Sequence, residues 1–82
     1  MQGPTRTQVE AVYAVMRLLR EDDRERGLSA EQTVLCHACQ RERPALGAVR
    51  YGETVLCNGC ATDYELLRLA RLAPPLPVWL GG

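Results

Sequence analysis

The stretch Cys36-His37-Ala38-Cys39, followed after seventeen residues by Cys57-Asn58-Gly59-Cys60, decides how this chain folds. Two cysteines three apart on a tight turn can aim both sulfurs at one ion while backbone N–H groups of the turn point at those sulfurs. Two such turns complete a tetrahedron with metal–sulfur distances of about 2.3 Å. A CxxC, a gap of about 15 to 20 residues and a second CxxC is the spacing of a four-thiolate zinc site. Asn58 and Gly59 are the small, turn-tolerant residues such a knuckle prefers.

Three other uses of paired cysteines compete with zinc. A disulfide framework needs an oxidising compartment, and Met1 is followed by polar residues rather than by the apolar run of a secretory leader. A thioredoxin-like CxxC needs a βαβ context that 82 residues are too few to build here. A rubredoxin-type iron site would use the same ligands, and zinc is the expectation adopted. The sequence thus predicts one structural zinc per chain on Cys36, Cys39, Cys57 and Cys60, with no coordination position left open. His37, inside the first knuckle, reads as a solvent-facing ring rather than a ligand. Gln40 follows Cys39, so the heme-attachment motif CxxCH does not apply.

The chain has room for one small domain, in which hydrophobic burial leaves a thin margin over chain entropy and a metal staple is needed. Its apolar fraction of 46% against 24% charged residues is that of a folded chain. Phe is absent, Trp occurs once and Tyr three times, which predicts a core of Leu, Val and Ala. No run approaches the roughly 20 apolar residues of a membrane span. The expectation is a soluble, cytoplasmic protein that does not contact membrane.

Outward from the cysteines the chain divides into an N-terminal helix (1–27), the finger with its C-terminal helix (28–73) and a Pro-rich apolar tail (74–82). The first helix is predicted over Thr5–Arg26: Thr5 and Gln8 form a capping box, Asp22 and Arg26 lie four apart, and Gly27 suits the C-terminal cap. Val9, Val12, Met16 and Leu19 fall on one face, widened by Tyr13, and the stripe ends at Asp23. This stripe is the candidate partner-binding surface, for another protein or a second copy of the chain. Ser29 with Gln32 can cap one helical turn, Thr33–Leu35 reads as extended, and residues 48–56 read as a hairpin turning near Gly52. After Cys60 the chain is helical, with Tyr64, Leu67 and Arg71 on one line and Leu66, Leu69 and Ala70 beside it, and Pro74 and Pro75 stop it. The tail is predicted to lie across its own domain through Trp79 and Leu80. The segment from Arg71 to Pro77 also matches the RxxPxxP pattern of SH3 ligands, which bind as a polyproline helix.

Leu56-Cys57-Asn58-Gly59-Cys60 resembles the LCNAC second knuckle of GATA-type zinc fingers, and the seventeen-residue gap matches theirs. The resemblance covers about residues 34 to 68. It implies a treble-clef finger: knuckle, short hairpins, and a second knuckle at the start of a helix. GATA fingers carry a Trp and a basic pair in the hairpin and a basic tail after the helix. Here the matching stretch is Leu46-Gly47-Ala48-Val49-Arg50, the tail is apolar, and Tyr64 falls one position later than the family's aromatic. The second module of LIM domains, which bind proteins, has comparable cysteine spacing, and the residues do not separate the two families. The fold class expected is a small α+β zinc-binding domain.

The chain's ten arginines, with no lysine, balance ten acids, and each third of the chain is balanced as well. Arg41, Arg43 and Arg50 are interleaved with Glu42 and Glu53, which reads as a mixed solvated surface. Nucleic-acid binding depends on Lys and Arg displacing counterions, so balanced charge disfavours DNA. No catalytic constellation or small-molecule pocket is legible. The function expected is a non-catalytic, zinc-stabilised protein-binding regulator or adaptor, with transcription regulation as its setting. The alternative is a GATA-like, sequence-specific DNA-binding regulator.

Overall fold

The computed structural model describes residues 3–81, so the extreme ends of segments 1–27 and 74–82 lie outside it. The order of elements is α1 (Arg6–Glu25), β1 (Thr33–Leu35), β2 (Glu42–Pro44), β3 (Val49–Tyr51), β4 (Thr54–Leu56), α2 (Asn58–Leu69) and a short α3 (Leu76–Trp79). The result is a small α+β domain. No described helix is long and apolar enough to cross a membrane.

Helix α1 begins and ends by local chemistry. Gln8 N–H donates to Thr5 Oγ1 at 3.1 Å and Thr5 N–H to Gln8 Oε1 at 2.8 Å, a closed capping box. At the other end Gly27, at φ 99°, lets its own N–H reach Arg24 O and the N–H of Leu28 reach Asp23 O. That is the paired bonding of a Schellman motif, which a left-handed residue makes possible.

Two antiparallel hairpins follow. β1 pairs with β2 from Thr33↔Pro44 to Leu35↔Glu42, and β3 pairs with β4 from Val49↔Leu56 to Tyr51↔Thr54. The strand at Glu42–Pro44 was not anticipated, because a proline and flanking charges mask a strand that is exposed throughout. Gly52 alone has positive φ (65°) in the two-residue turn of the second hairpin, the Gly-first pattern of a type II′ turn. Ser29 N–H donates to Gln32 Oε1 at 2.7 Å, but Ser29 Oγ accepts from Glu31 N–H at 3.0 Å and the segment is a turn rather than a helix.

Helix α2 is shifted from its expected place. It starts at Asn58, inside the second knuckle, and ends at Leu69, before the prolines. Arg71 adopts φ 60° and closes a second Schellman motif, with N–H groups of Arg71 and Leu72 on Arg68 O and Leu67 O. Arg71 therefore does not share a helical face with Tyr64 and Leu67. The tail folds back: Tyr64 Oη donates to Pro74 O at 2.9 Å, and the Trp79 and Tyr64 rings lie 4.9 Å apart. Leu76–Trp79 is helical, so the last two residues of the RxxPxxP segment, Leu76 and Pro77, are not in the extended form that an SH3 ligand adopts.

The core departs from the Leu, Val and Ala expectation. Its fully buried members are Cys36, Leu56 and Ala61, with Cys57, Tyr64 and Met16 around them. Tyr51 meets Tyr64 edge-on at 5.7 Å, so Tyr51, Tyr64 and Trp79 together do the work of the missing Phe.

Met16, one of the five candidate partner-binding residues, is only 6% exposed and belongs to this core. Val9 and Val12 are half-buried, and Tyr13 and Leu19 are exposed. Polar contacts lock α1 in place beside Met16. Asn58 Nδ2 donates to Met16 O at 2.9 Å and to Gly47 O at 3.0 Å, while Gly47 N–H donates to Asp23 Oδ2 at 2.9 Å. Gly47 is thus held through both backbone groups. It has φ 76°, and a Cβ there would sit 2.5 Å from Asn58 Nδ2 and closer still to Arg20 Cγ.

Gly47→Ala should lower stability by about 2–4 kcal/mol, combining a left-handed backbone cost with overpacking. Gly52→Ala, also at positive φ but facing open space, should lose only about 1–2 kcal/mol. Urea unfolding of the two variants with metal present measures the difference. Equal losses would show that α1 does not close on Gly47.

Candidate metal centre

The first knuckle is the turn of the β1–β2 hairpin. Cys36 N–H donates to Arg41 O at 3.0 Å and Gln40 N–H to Cys36 O at 2.9 Å. Gln40 reverses the chain at φ 59°, and its side-chain Nε2 donates to His37 O at 2.8 Å. The second knuckle is the first turn of α2, with Cys57 as the capping residue whose sulfur accepts from Cys60 N–H at 3.5 Å. Cys57 N–H in turn points at Cys36 Sγ, 3.3 Å away.

His37 is neither a ligand nor an idle surface ring. Its backbone N–H donates to Val55 O at 2.9 Å, and Val55 N–H donates to His37 Nδ1 at 2.8 Å. An accepting Nδ1 places the ring proton on Nε2. The histidine acts as an added rung that fastens the first knuckle to β4, and so sets the height of one knuckle against the other. Periodicity could not signal this, because the partner is eighteen residues away.

The four sulfurs lie within 4.8 Å of one another, and none is in a disulfide. A tetrahedron of sulfurs around one zinc has edges of about 3.8 Å, so the cluster needs little contraction to hold an ion. Cys36 and Cys57 are buried, whereas Cys39 and Cys60 are half-buried at the rim. Burial opposes ionisation of Cys36, yet backbone N–H groups of Cys39, Cys57 and Ala38 together with the Cys39 side chain outweigh it and bring this thiol down to about 6. The Cys60 thiol is pushed far up, by burial first and then by the sulfurs of Cys57 and Cys36. Burial and Cys36 also raise Cys39. One anion forms readily and its neighbours resist, which is the electrostatics of a site that needs a cation. The four cysteines, a soft all-thiolate donor set, could hold a zinc ion.

Two residues that bind the site into the fold went unrecognised in the sequence. Asn58, read there as a turn residue, clasps α1 and the Gly47 loop. Asp23, read as the end of the apolar stripe, supplies the acceptor for Gly47. Comparison with protein-family models, curated proteins and solved structures returns no match.

Metal binding must displace the protons held by the raised thiols of Cys39 and Cys60, whereas Cys36 gives up none above about pH 7. Apparent zinc affinity should therefore rise with pH between about 6 and 8, by about two orders of magnitude or more per pH unit. Competition titration against a chromophoric chelator reads this slope, and a flat profile would show that the cluster does not bind through thiolates.

Proposed function

We infer that this chain is a non-catalytic, zinc-stabilised binding module that acts as a small regulator or adaptor. The observation that carries the reading is the cysteine cluster itself: one knuckle sits in a hairpin turn, the other opens a helix, and four sulfurs meet that would fill a tetrahedral ion's ligand positions. A knuckle-bearing hairpin, a second hairpin and a second knuckle opening a helix is the order of a treble-clef finger. This supports the resemblance to GATA-type and LIM fingers without choosing between them. Zinc supplies on the order of 10 kcal/mol of folding free energy in sites of this kind, which a core this small lacks.

The partner surface of the module is the outer edge of α1. With Met16 turned inward, Val15 and Leu18, 51% and 59% exposed, stand beside the less exposed Leu19 among the described residues. Between α1 and α2 runs an apolar groove of ≈ 330 Å³, lined by Ala11, Val12, Val15, Met16 and Leu69 with Gln8 and Glu65 at its polar edge. An amphipathic helix is the natural occupant of such a groove, and a second copy of α1 is the simplest protein partner. Transcription regulation in the cytoplasm is the setting this reading favours.

Native mass spectrometry should find one zinc per chain, and chelation should unfold at least residues 34 to 68. Val15→Glu with Leu18→Glu should leave zinc and fold intact while abolishing association seen by light scattering. Met16→Glu should instead unfold the domain, because it places a charge in the core. A metal-free native mass would sink the zinc module. Full association in the Val15/Leu18 double variant would remove the partner surface.

A further inference from the structure

Formal charge is zero, yet the fold sorts its charges. On α1, Tyr13, Arg17, Arg20 and Arg24 recur at spacings of four, three and four, which sets them along one face. Asp22 and Glu25 lie on a different face, lining a shallow hollow with Val15, Leu18 and Leu19, and Glu21 stands at the border of the arginine row, four residues after Arg17 and three before Arg24. In the finger, alternation along β2 does the same sorting. Arg41 and Arg43 line one hollow beside Cys39, Cys57 and Cys60, while Glu42 between them accepts from Thr33 Oγ1 at 2.6 Å across the hairpin. The sequence interleaves these charges, and the strand's period of two separates them.

The two arginine sets meet. Arg20 and Arg43 line a hollow of about 230 Å³ that has no carboxylate in its lining. Among the described residues, none of Arg17, Arg20, Arg24, Arg41 and Arg43 takes part in an ion pair. A loaded four-thiolate zinc carries about two negative charges, and Asp63 lines the same hollow as Arg41. Asp23, held on Gly47 beside Arg20, takes another charge, and the five arginines leave a surplus of about one positive charge on this face.

We propose that this face is a sequence-independent binding site for the phosphodiester backbone of a nucleic acid. Arg17, Arg20 and Arg24 take phosphates along α1, and Arg41 and Arg43 extend the track over the finger. A guanidinium matches a phosphate bidentately, and it stays charged at any pH the protein meets. The row from Arg17 to Arg24 spans about 10 Å of helix axis, against one phosphate per about 3.4 Å of rise on each DNA strand. Tyr13, 52% exposed and in line with the arginines, offers a ring for an unstacked base, which an acidic protein would not use. The site lies away from the Val15/Leu18 edge of α1, so it stands or falls separately from the protein-binding reading.

The test is fluorescence anisotropy of a labelled single strand and a duplex, each of about 20 nucleotides per strand, with the zinc-loaded full chain. Micromolar binding is expected at about 50 mM salt, weakened about 50-fold or more at about 200 mM, as four or five phosphate contacts require. Arg17→Gln with Arg24→Gln should weaken binding about 10-fold with zinc content and circular dichroism unchanged, and Glu21→Gln with Glu25→Gln should not weaken it. Tyr13→Ala should weaken the single strand more than the duplex. No binding at the lower salt, or unchanged affinity in the Arg17/Arg24 variant, would overturn the proposal. So would tighter binding of polyglutamate than of either oligonucleotide, which would make the partner an acidic protein.

Discussion

Four thiols held within 4.8 Å of one another cannot all become anions unless a cation joins them. The rest of the molecule hangs on that constraint. Cys36 stands in the turn of the first hairpin and Cys57 caps α2, so an ion shared by the four sulfurs would tie the two pieces together beside the His37–Val55 bonds and the common core. Each piece alone is a two-stranded ribbon or a helix of twelve residues, below the size at which such elements persist in water. The N–H groups aimed at Cys36 and Cys57 sulfurs reduce the repulsion further, and the histidine rung between His37 and Val55 holds the knuckles at matching heights.

A second link passes the order of the knuckle outward. Asn58 lies between two cysteines, so whatever fixes the ligands also fixes its amide. That amide holds the carbonyls of Met16 and Gly47. Burial of a side chain such as Met16 contributes about 1.5–3 kcal/mol, a useful fraction of the stability of a small domain. The hydrogen bonds add specificity to that burial, because a helix carbonyl in the middle of α1 can meet Asn58 in only one register. Apolar contact alone would let α1 slide or roll along the finger.

Legibility followed the range of the interactions. The capping box at Thr5, the glycine terminus of α1, the turn at Gly52 and the cysteine spacing are set by residues within a few positions of each other, and they could be read directly. The end of α2 was misplaced because Arg71 takes a left-handed conformation that arginine rarely adopts, so the prolines seemed the better stop signal. Asn58, Asp23 and Gly47 act across 11 to 42 residues, and no local pattern carries that information. One signal was present: Asp23 sits seven residues beyond Met16, so it prolongs the inward stripe. An acid at that position announces a backbone donor on the other side, not the end of an interface.

The same argument explains why charge counting along the chain misleads. A period of 3.6 on α1 and of two on β2 turns an evenly mixed sequence into faces of unequal charge, and only the roll of α1 decides where those faces point. Asn58 and Asp23 set that roll. Were α1 turned by about 100°, the step of one residue, the arginine row would leave its place beside Arg43 and the Val15/Leu18 edge would shift with it. The cysteine cluster therefore also bears on which surfaces α1 presents, through one asparagine whose amide donates to two backbone carbonyls.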